Sequence, residues 1–217
     1  MYAVNTYEQI QTNERIINEN HIIILMFVRP NEADSDTIIK SFNYLHYNSS
    51  KYCSIYAVGY TNDKSSFRYY DTVKGVDGGD WYYSDEAFVE FKNKLEDRIK
   101  WRYSGENELI ILQSNIDNPS NILNFQNYVA VNISQGIRME YIESYSNFME
   151  NLIHQSREEV NSKKAVDKAV RFSAKKIATL AIEESKRIPT PIKRIINNTL
   201  FFKTSRSYGK RHLISLP

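Results

Sequence analysis

Residues 21–60, "HIIILMFVRPNEADSDTIIKSFNYLHYNSSKYCSIYAVGY", decide the fold. The first ten are apolar on both faces and rich in β-branched residues until Pro30, the pattern of a central strand closed by a turn. Asp34 or Ser35 then caps a helix whose apolar positions Ile38, Phe42 and Leu45 recur at helical spacing. "KYCSIYAVGY" is again strand-like on both faces, with Gly59 near its end. Strand, helix and strand in this order predict a parallel βαβ unit.

Downstream, the period keeps alternating. "TNDKSSFRYYDTVKGVDGGDWYY" reads mainly as an elaborated loop with a short strand around residues 67–70. Ser84 caps a helix that places Phe88, Phe91, Leu95 and Ile99 on one side. "NELIILQS" and "NYVAVNI" are a third and a fourth core strand, joined by "NPSNILNFQ", a turn or a short helix started by Pro119. From Ser134 a helical stripe runs through Ile137, Tyr141, Tyr145, Phe148 and Leu152. Residues 162–188 read as helix until the prolines at 189 and 191, and "IKRIINNTLFF" as a shorter helical segment. The expected fold is α/β, with about four to five mostly parallel strands flanked by helices and an α-helical basic C-terminal extension.

Two segments share a word, W-x-Y-S-x-E: Trp81 to Glu86 and Trp101 to Glu106. The first copy runs on into a helix and the second into a strand, so no fold unit is duplicated. The helix between them spans about 25 Å at 1.5 Å per residue, which sets the two tryptophans at opposite ends of one rod. Ser84, Asp85 and Glu86 make a helix start, and Gly105 suits a turn.

Charge divides the chain. Residues 1–155 hold 13 basic and 21 acidic side chains, a formal charge of −8; residues 156–217 hold 15 and 5, a charge of +10. An acidic α/β domain over 1–155 and a basic helical extension over 156–217 are the expected organisation. The lone cysteine, Cys53, excludes an internal disulfide and supports no thiolate metal site. The longest apolar run, Ile22 to Val28, is seven residues, against roughly 20 needed to cross a bilayer. The opening residues lack the basic-then-apolar order of a signal peptide, so a cytoplasmic location is expected.

Candidate chemistry gathers in the loop over residues 69–86. Asp71, Asp77 and Asp80 lie there among glycines and rings, and Tyr70, Trp81 and Tyr83 offer faces for a flat ligand. The spacing fits neither an EF-hand nor a glycine-rich phosphate loop, and a solvated acidic turn explains the composition equally. His46, between Tyr44 and Tyr47, has the titration range of a general base or serves as a hydrogen-bonded structural group. Arg29, at the end of the first strand, meets an anion there or pairs with Glu32 or Asp34. Trp101 is a further ligand candidate. No metal or cofactor is expected.

In the basic segment, Lys164, Lys168, Arg171 and Lys175 recur on one helical face, opposite Val166, Val170, Ile177 and Ala181. Lys186, Arg187, Lys193 and Arg194 come next, and Phe201, Phe202 and Tyr208 are interleaved farther on. This face suits phosphates of nucleic acid, an acidic protein partner or plain solvent; an anionic membrane is disfavoured by the small alanine- and valine-rich apolar side. The expected function is a non-catalytic intracellular recognition module whose basic helices contact an acidic protein or nucleic acid. The alternative is an enzyme acting on nucleotides or nucleic acid through residues 69–86. Oligomeric state is not legible in these residues.

Overall fold

A computed structural model describes residues 1–49, 52–118, 121–166, 174–184 and 201–204. Along the chain come β1 (Tyr2–Val4), α1 (Tyr7–Ile17), β2 (Ile22–Phe27), α2 (Ser35–Lys40), α3 (Phe42–Ser49), β3 (Cys53–Val58) and β4 (Tyr60–Thr61). Next are β5 (Asp71–Lys74), β6 (Asp80–Tyr83), α4 (Asp85–Arg98), β7 (Glu108–Ser114) and β8 (Leu123–Asn132). The remainder comprises α5 (Ile133–Arg138), α6 (Tyr145–Val166), α7 (Ala174–Glu184) and β9 (Phe202–Thr204).

The main sheet has six strands in the order β1-β3-β2-β7-β8-β9. β3 runs parallel to both β1 and β2, which is the βαβ unit expected from residues 21–60. Every residue of β2 and β3 is buried, as their two-faced apolar sequences demand. Ile38, Phe42 and Leu45 are buried on the crossover, where the helix breaks at Ser41. Asp34 stands at the N-cap position with φ 65° and makes no side-chain capping bond.

The expectation of a mostly parallel sheet is overturned. β2 with β7, β7 with β8 and β8 with β9 are all antiparallel, so the sheet is mixed with an antiparallel majority. The reason lies in residues 59–107. They leave the sheet after the carboxyl end of β3, where the Ser84 N–H donates to the Gly59 carbonyl at 3.0 Å. They rejoin it at the carboxyl end of β2, where Glu108 stands opposite Phe27. A segment that departs and returns at the same end can only continue antiparallel.

Three local readings also change. Residues 60–83 form a separate three-stranded antiparallel sheet, β4-β6-β5, and not the elaborated loop expected. Its strands lie at 60–61, 71–74 and 80–83, and residues 67–70 are not a strand. Residues 123–126 belong to β8, so no helix occupies that part of "NPSNILNFQ". Phe202 lies in β9 and is 2% exposed, with Phe201 at 1%; both are core residues with no face free for stacking on a ligand. Of the helices expected over 162–188 and 192–202, residues 167–173, 185–188 and 192–200 lie outside the described residues, and Phe202 is in a strand.

Ser84 caps α4 by accepting from the Ala87 N–H at 3.4 Å, and Phe88, Phe91, Leu95 and Ile99 are buried as expected. α1 is fixed by a capping box, in which Gln9 N–H donates to Thr6 Oγ1 at 3.4 Å and Thr6 N–H to Gln9 Oε1 at 3.3 Å. α7 buries Ala174, Ile177, Ala178, Ala181 and Ile182, and packs on α6. Among the described residues no helix is long and apolar enough to cross a membrane.

α1 carries Glu14 into the core, where it is fully buried. Tyr56 Oη donates to Glu14 Oε1 at 2.6 Å, and His21 Nε2 lies 3.2 Å from Oε2. Burial disfavours a charged His21, but the hydrogen bond and charge of Glu14 outweigh it and raise the imidazole above its ordinary value of 6.5. A raised folded-state value means that the ion pair contributes fully below pH 6.5 and is lost as pH rises through the higher folded value. Glu14→Gln keeps volume and an acceptor for Tyr56 but removes the charge. In urea melts it should cost about 3 kcal/mol near pH ~6, and the gap to the unmodified protein should narrow toward pH ~9.

Candidate functional site

Three places collect the residues singled out by sequence. The first lies beyond the carboxyl end of β2. Arg29 pairs there with Asp85 in the first turn of α4, approaches Glu32 at 3.4 Å, and sets its guanidinium 5.5 Å from the centre of the Phe88 ring. Tyr83 Oη donates to Asp85 Oδ1 at 3.1 Å. Two carboxylates therefore flank the one arginine. Burial raises Glu32 despite the opposing pull of Arg29, and burial also raises Tyr60, Tyr83 and Tyr103, so all three phenols stay protonated near neutrality.

Behind this cluster the aromatic rings form a continuous path. Trp101 packs on Phe27 at 4.7 Å between centroids, Phe27 on Phe88 at 5.9 Å, Phe88 on Tyr83 at 6.0 Å, Tyr83 on Tyr60 at 5.0 Å and Tyr60 on Trp81 at 6.4 Å. The two tryptophans of the doubled word thus stand at the ends of a chain of rings. α4 runs unbroken between them in sequence. Both are buried, Trp81 at 7% and Trp101 at 1% exposure. Trp101 Nε1 donates to Glu108 Oε2 at 2.7 Å, so its polar edge is spent inside the protein. Burial raises the Glu108 carboxyl even though this bond and those of Ser104 favour the ionised form.

The second place is a concavity of about 440 Å³ where the small sheet meets the edge of the main one. Met1, Tyr2 and Ala3, Gln9 and Asn13 of α1, His46 of α3, Asn62, and Val76, Asp77 and Trp81 line it. The β5–β6 hairpin turns through Asp77 and Gly78, at φ 56° and 71°. This Asp-Gly pair is a hairpin signature, and it is the sequence signal that marks the small sheet. The turn is fastened to α3: Tyr47 Oη donates to Asp77 Oδ1, and the Asp77 N–H donates to Asn43 Oδ1 at 2.9 Å. Trp81 lies over Gly75, where an added Cβ would fall 2.3 Å from the indole ring. His46 is held through Nδ1, 3.1 Å from the Met1 amine and 3.3 Å from the Met1 carbonyl. His46, Asp77 and Trp81 are brought to one surface; Asp71 and Asp80 are not.

The third place is a groove of about 400 Å³ between β5 and α2, lined by Pro30, Asn31, Asp36, Ile39, Lys40 and the four residues of β5. Asp71 lies here, while Asp80, across the hairpin, holds Lys74 at 2.7 Å. Tyr70 meets the edge of Tyr82 at 5.1 Å between ring centres.

Sequence reasoning missed a buried triplet. His21 Nε2 is 2.8 Å from Ser54 Oγ, and Glu14 completes a serine–histidine–carboxylate set. Its geometry is structural. The carboxylate and the serine approach the same ring nitrogen, whereas a relay needs them on opposite nitrogens. The other nitrogen, Nδ1, faces the Glu19 carbonyl at 2.8 Å, and Ser54 is 4% exposed. Cys53 is buried, and burial pushes its thiol up to about 12. Among the described residues no three histidine, cysteine, aspartate or glutamate side chains gather as a metal-holding group.

Of the basic residues, Lys175 is exposed on α7, and its neighbour Lys176 pairs with Glu159 of α6 at 3.1 Å. Lys164 lies in α6; Lys168, Arg171, Lys186, Arg187, Lys193 and Arg194 lie outside the described residues. Comparison with models of protein families, with curated proteins and with solved structures finds no match.

The 440 Å³ concavity has one wall set by contact between Trp81 and Gly75. Gly75→Ala should displace the indole, cost about 1–3 kcal/mol by overpacking, and change the tryptophan fluorescence excited selectively over tyrosine, with the hairpin retained.

Proposed function

We propose that the protein is a non-catalytic recognition module in the cytoplasm, whose basic residues in 156–217 contact an acidic protein partner. One observation carries the non-catalytic reading: the candidate acid and base groups other than Asp71 are tied to internal partners, and Asp71 lies in a different groove from His46. Asp80 holds Lys74, Asp77 accepts from Tyr47, Arg29 meets Asp85 and Glu32, and His46 Nδ1 lies against the Met1 backbone. A general base needs a free acceptor within reach of its substrate, and groups committed in this way are better at holding a surface in shape.

The choice of partner rests on charge. The acidic first 155 residues and the basic remainder differ by 18 formal charges, −8 against +10, and a segment of one sign steers toward the opposite sign. Exposed Lys175 supports this reading. Nucleic acid offers the same sign of charge and is separated from an acidic protein by the test.

One observation favours the second reading, an enzyme acting on nucleotides: His46 and Asp77 line the same concavity. On that reading, His46→Ala and Asp77→Asn should each abolish turnover in a nucleotide hydrolysis panel, and on the first reading the unmodified protein shows none.

The main test changes Lys164, Lys168, Arg171 and Lys175 together to Glu. Binding to polyglutamate, or to duplex DNA if nucleic acid is the partner, should fall about tenfold or more while the circular dichroism spectrum is kept, and the unmodified protein should lose affinity as salt is raised. Binding that is insensitive to salt and to the four changes overturns the proposal.

A further inference from the structure

Among the described residues the small sheet has an open edge: β6 lies between β4 and β5, and β5 pairs with no other described strand. The Gly75 N–H donates to the Gly79 carbonyl at 2.9 Å, which fixes the phase of the ladder: 75 with 79 is a hydrogen-bonded pair. In the same register Val73 pairs with Trp81 and Asp71 with Tyr83. Because backbone groups alternate between neighbours in an antiparallel ladder, Val73 and Asp71 bond to β6, and Thr72 and Lys74 turn their N–H and C=O groups outward. Both residues are exposed. These outward groups do not open onto flat solvent. They border the groove of about 400 Å³ whose far wall is α2, with Ile39 among its lining residues beside Val73.

We propose that this groove receives an extended, positively charged segment of a partner protein, which adds to β5 as a fourth strand of the small sheet. The outward N–H and C=O groups are what a second strand matches, giving affinity through main-chain bonds while the groove selects side chains. The charge of the occupant is set by the rim. Lys74 is neutralised by Asp80, which leaves Asp36 and Asp71 against Lys40. The first 155 residues as a whole carry −8. A cationic strand is drawn in, and an acidic one is opposed. This proposal uses none of the lysines of residues 156–217, so neither proposal decides the other.

The test is fluorescence anisotropy with a fluorescein-labelled heptapeptide alternating lysine with valine, beside a matched peptide alternating glutamate with valine. The lysine peptide binds the full chain, and the glutamate peptide does not. Thr72→Pro removes one outward N–H. Proline is tolerated on an edge where that group faces solvent, so the variant keeps its thermal midpoint and loses peptide affinity about tenfold or more. Should Thr72→Pro fail to fold, N-methylated versions of the lysine peptide replace it: methylation in one alternating phase abolishes binding, and in the other phase leaves it intact. The proposal is overturned by unchanged affinity in folded Thr72→Pro, by equal binding of the glutamate peptide, by no binding at millimolar peptide, or by N-methylation without phase dependence. Self-association in sedimentation equilibrium that Thr72→Pro removes would also overturn it, because the edge would then be covered by a second copy.

Discussion

β2 carries the arrangement. Its six residues are buried on both faces, and its two edges are occupied by strands running in opposite senses, β3 parallel and β7 antiparallel. A strand with no exposed face has to satisfy its backbone groups within the sheet, because water cannot reach them. Phe27 at its end touches Phe88, Phe91, Trp101 and Tyr103, so the same strand that fixes the sheet also organises the aromatic cluster beyond its carboxyl end. Each such ring contributes about 1.5–3 kcal/mol when fully buried. The surfaces of functional interest are built outward from this cluster.

The small sheet is joined to that cluster at two levels. Covalently, β3 passes into β4 through Gly59 alone. In packing, Tyr60, Trp81 and Tyr83 turn inward: Trp81 lies 5.5 Å from Phe42 of α3, and Tyr60 Oη donates to the Val28 carbonyl at 3.0 Å. The hairpin tip is tied to α3 through Asn43 and Tyr47. The inner face of the small sheet is therefore core, and its outer edge at β5 pairs with no other strand among the described residues. Rigid attachment matters for recognition, because a strand that is already ordered spends no conformational entropy in receiving a partner.

Much of the core is legible in sequence because periodicity reports burial directly. Ile22 to Phe27, Ile38, Phe42, Leu45, and Phe88, Phe91 and Leu95 sit where their spacing places them. Strand direction is not legible, since nothing in "NELIILQS" states at which end of the sheet the chain re-enters. α1 is hidden because its buried stripe is Tyr7, Ile10 and Glu14, and a carboxylate at a core position breaks the apolar pattern. β1 has three residues, too few to show a period. β5 and β6 read as loop because Asp71, Lys74 and Asp80 obscure the alternation, although Asp77-Gly78 marks the turn. Of the candidate site residues, His46, Asp77 and Trp81 converge, Asp71 lies in another groove, and Trp101 is interior. Such convergence depends on tertiary contacts that local spacing does not encode.

Gly59 has φ 86°, and a Cβ there would lie 2.8 Å from the Cβ of Phe88. No other residue type fits a corner with both a left-handed backbone and a neighbour so near. The excursion ends at Ser84, whose N–H returns to the Gly59 carbonyl, and Phe88 in the opening of α4 closes the same corner. The glycine, the capping serine and the phenylalanine four positions after it consequently form a spaced signature of the corner at which the chain passes from one sheet to the other. The spacing of the three is set by that corner alone, so any other chain that turns between two sheets in the same way meets the same steric demand.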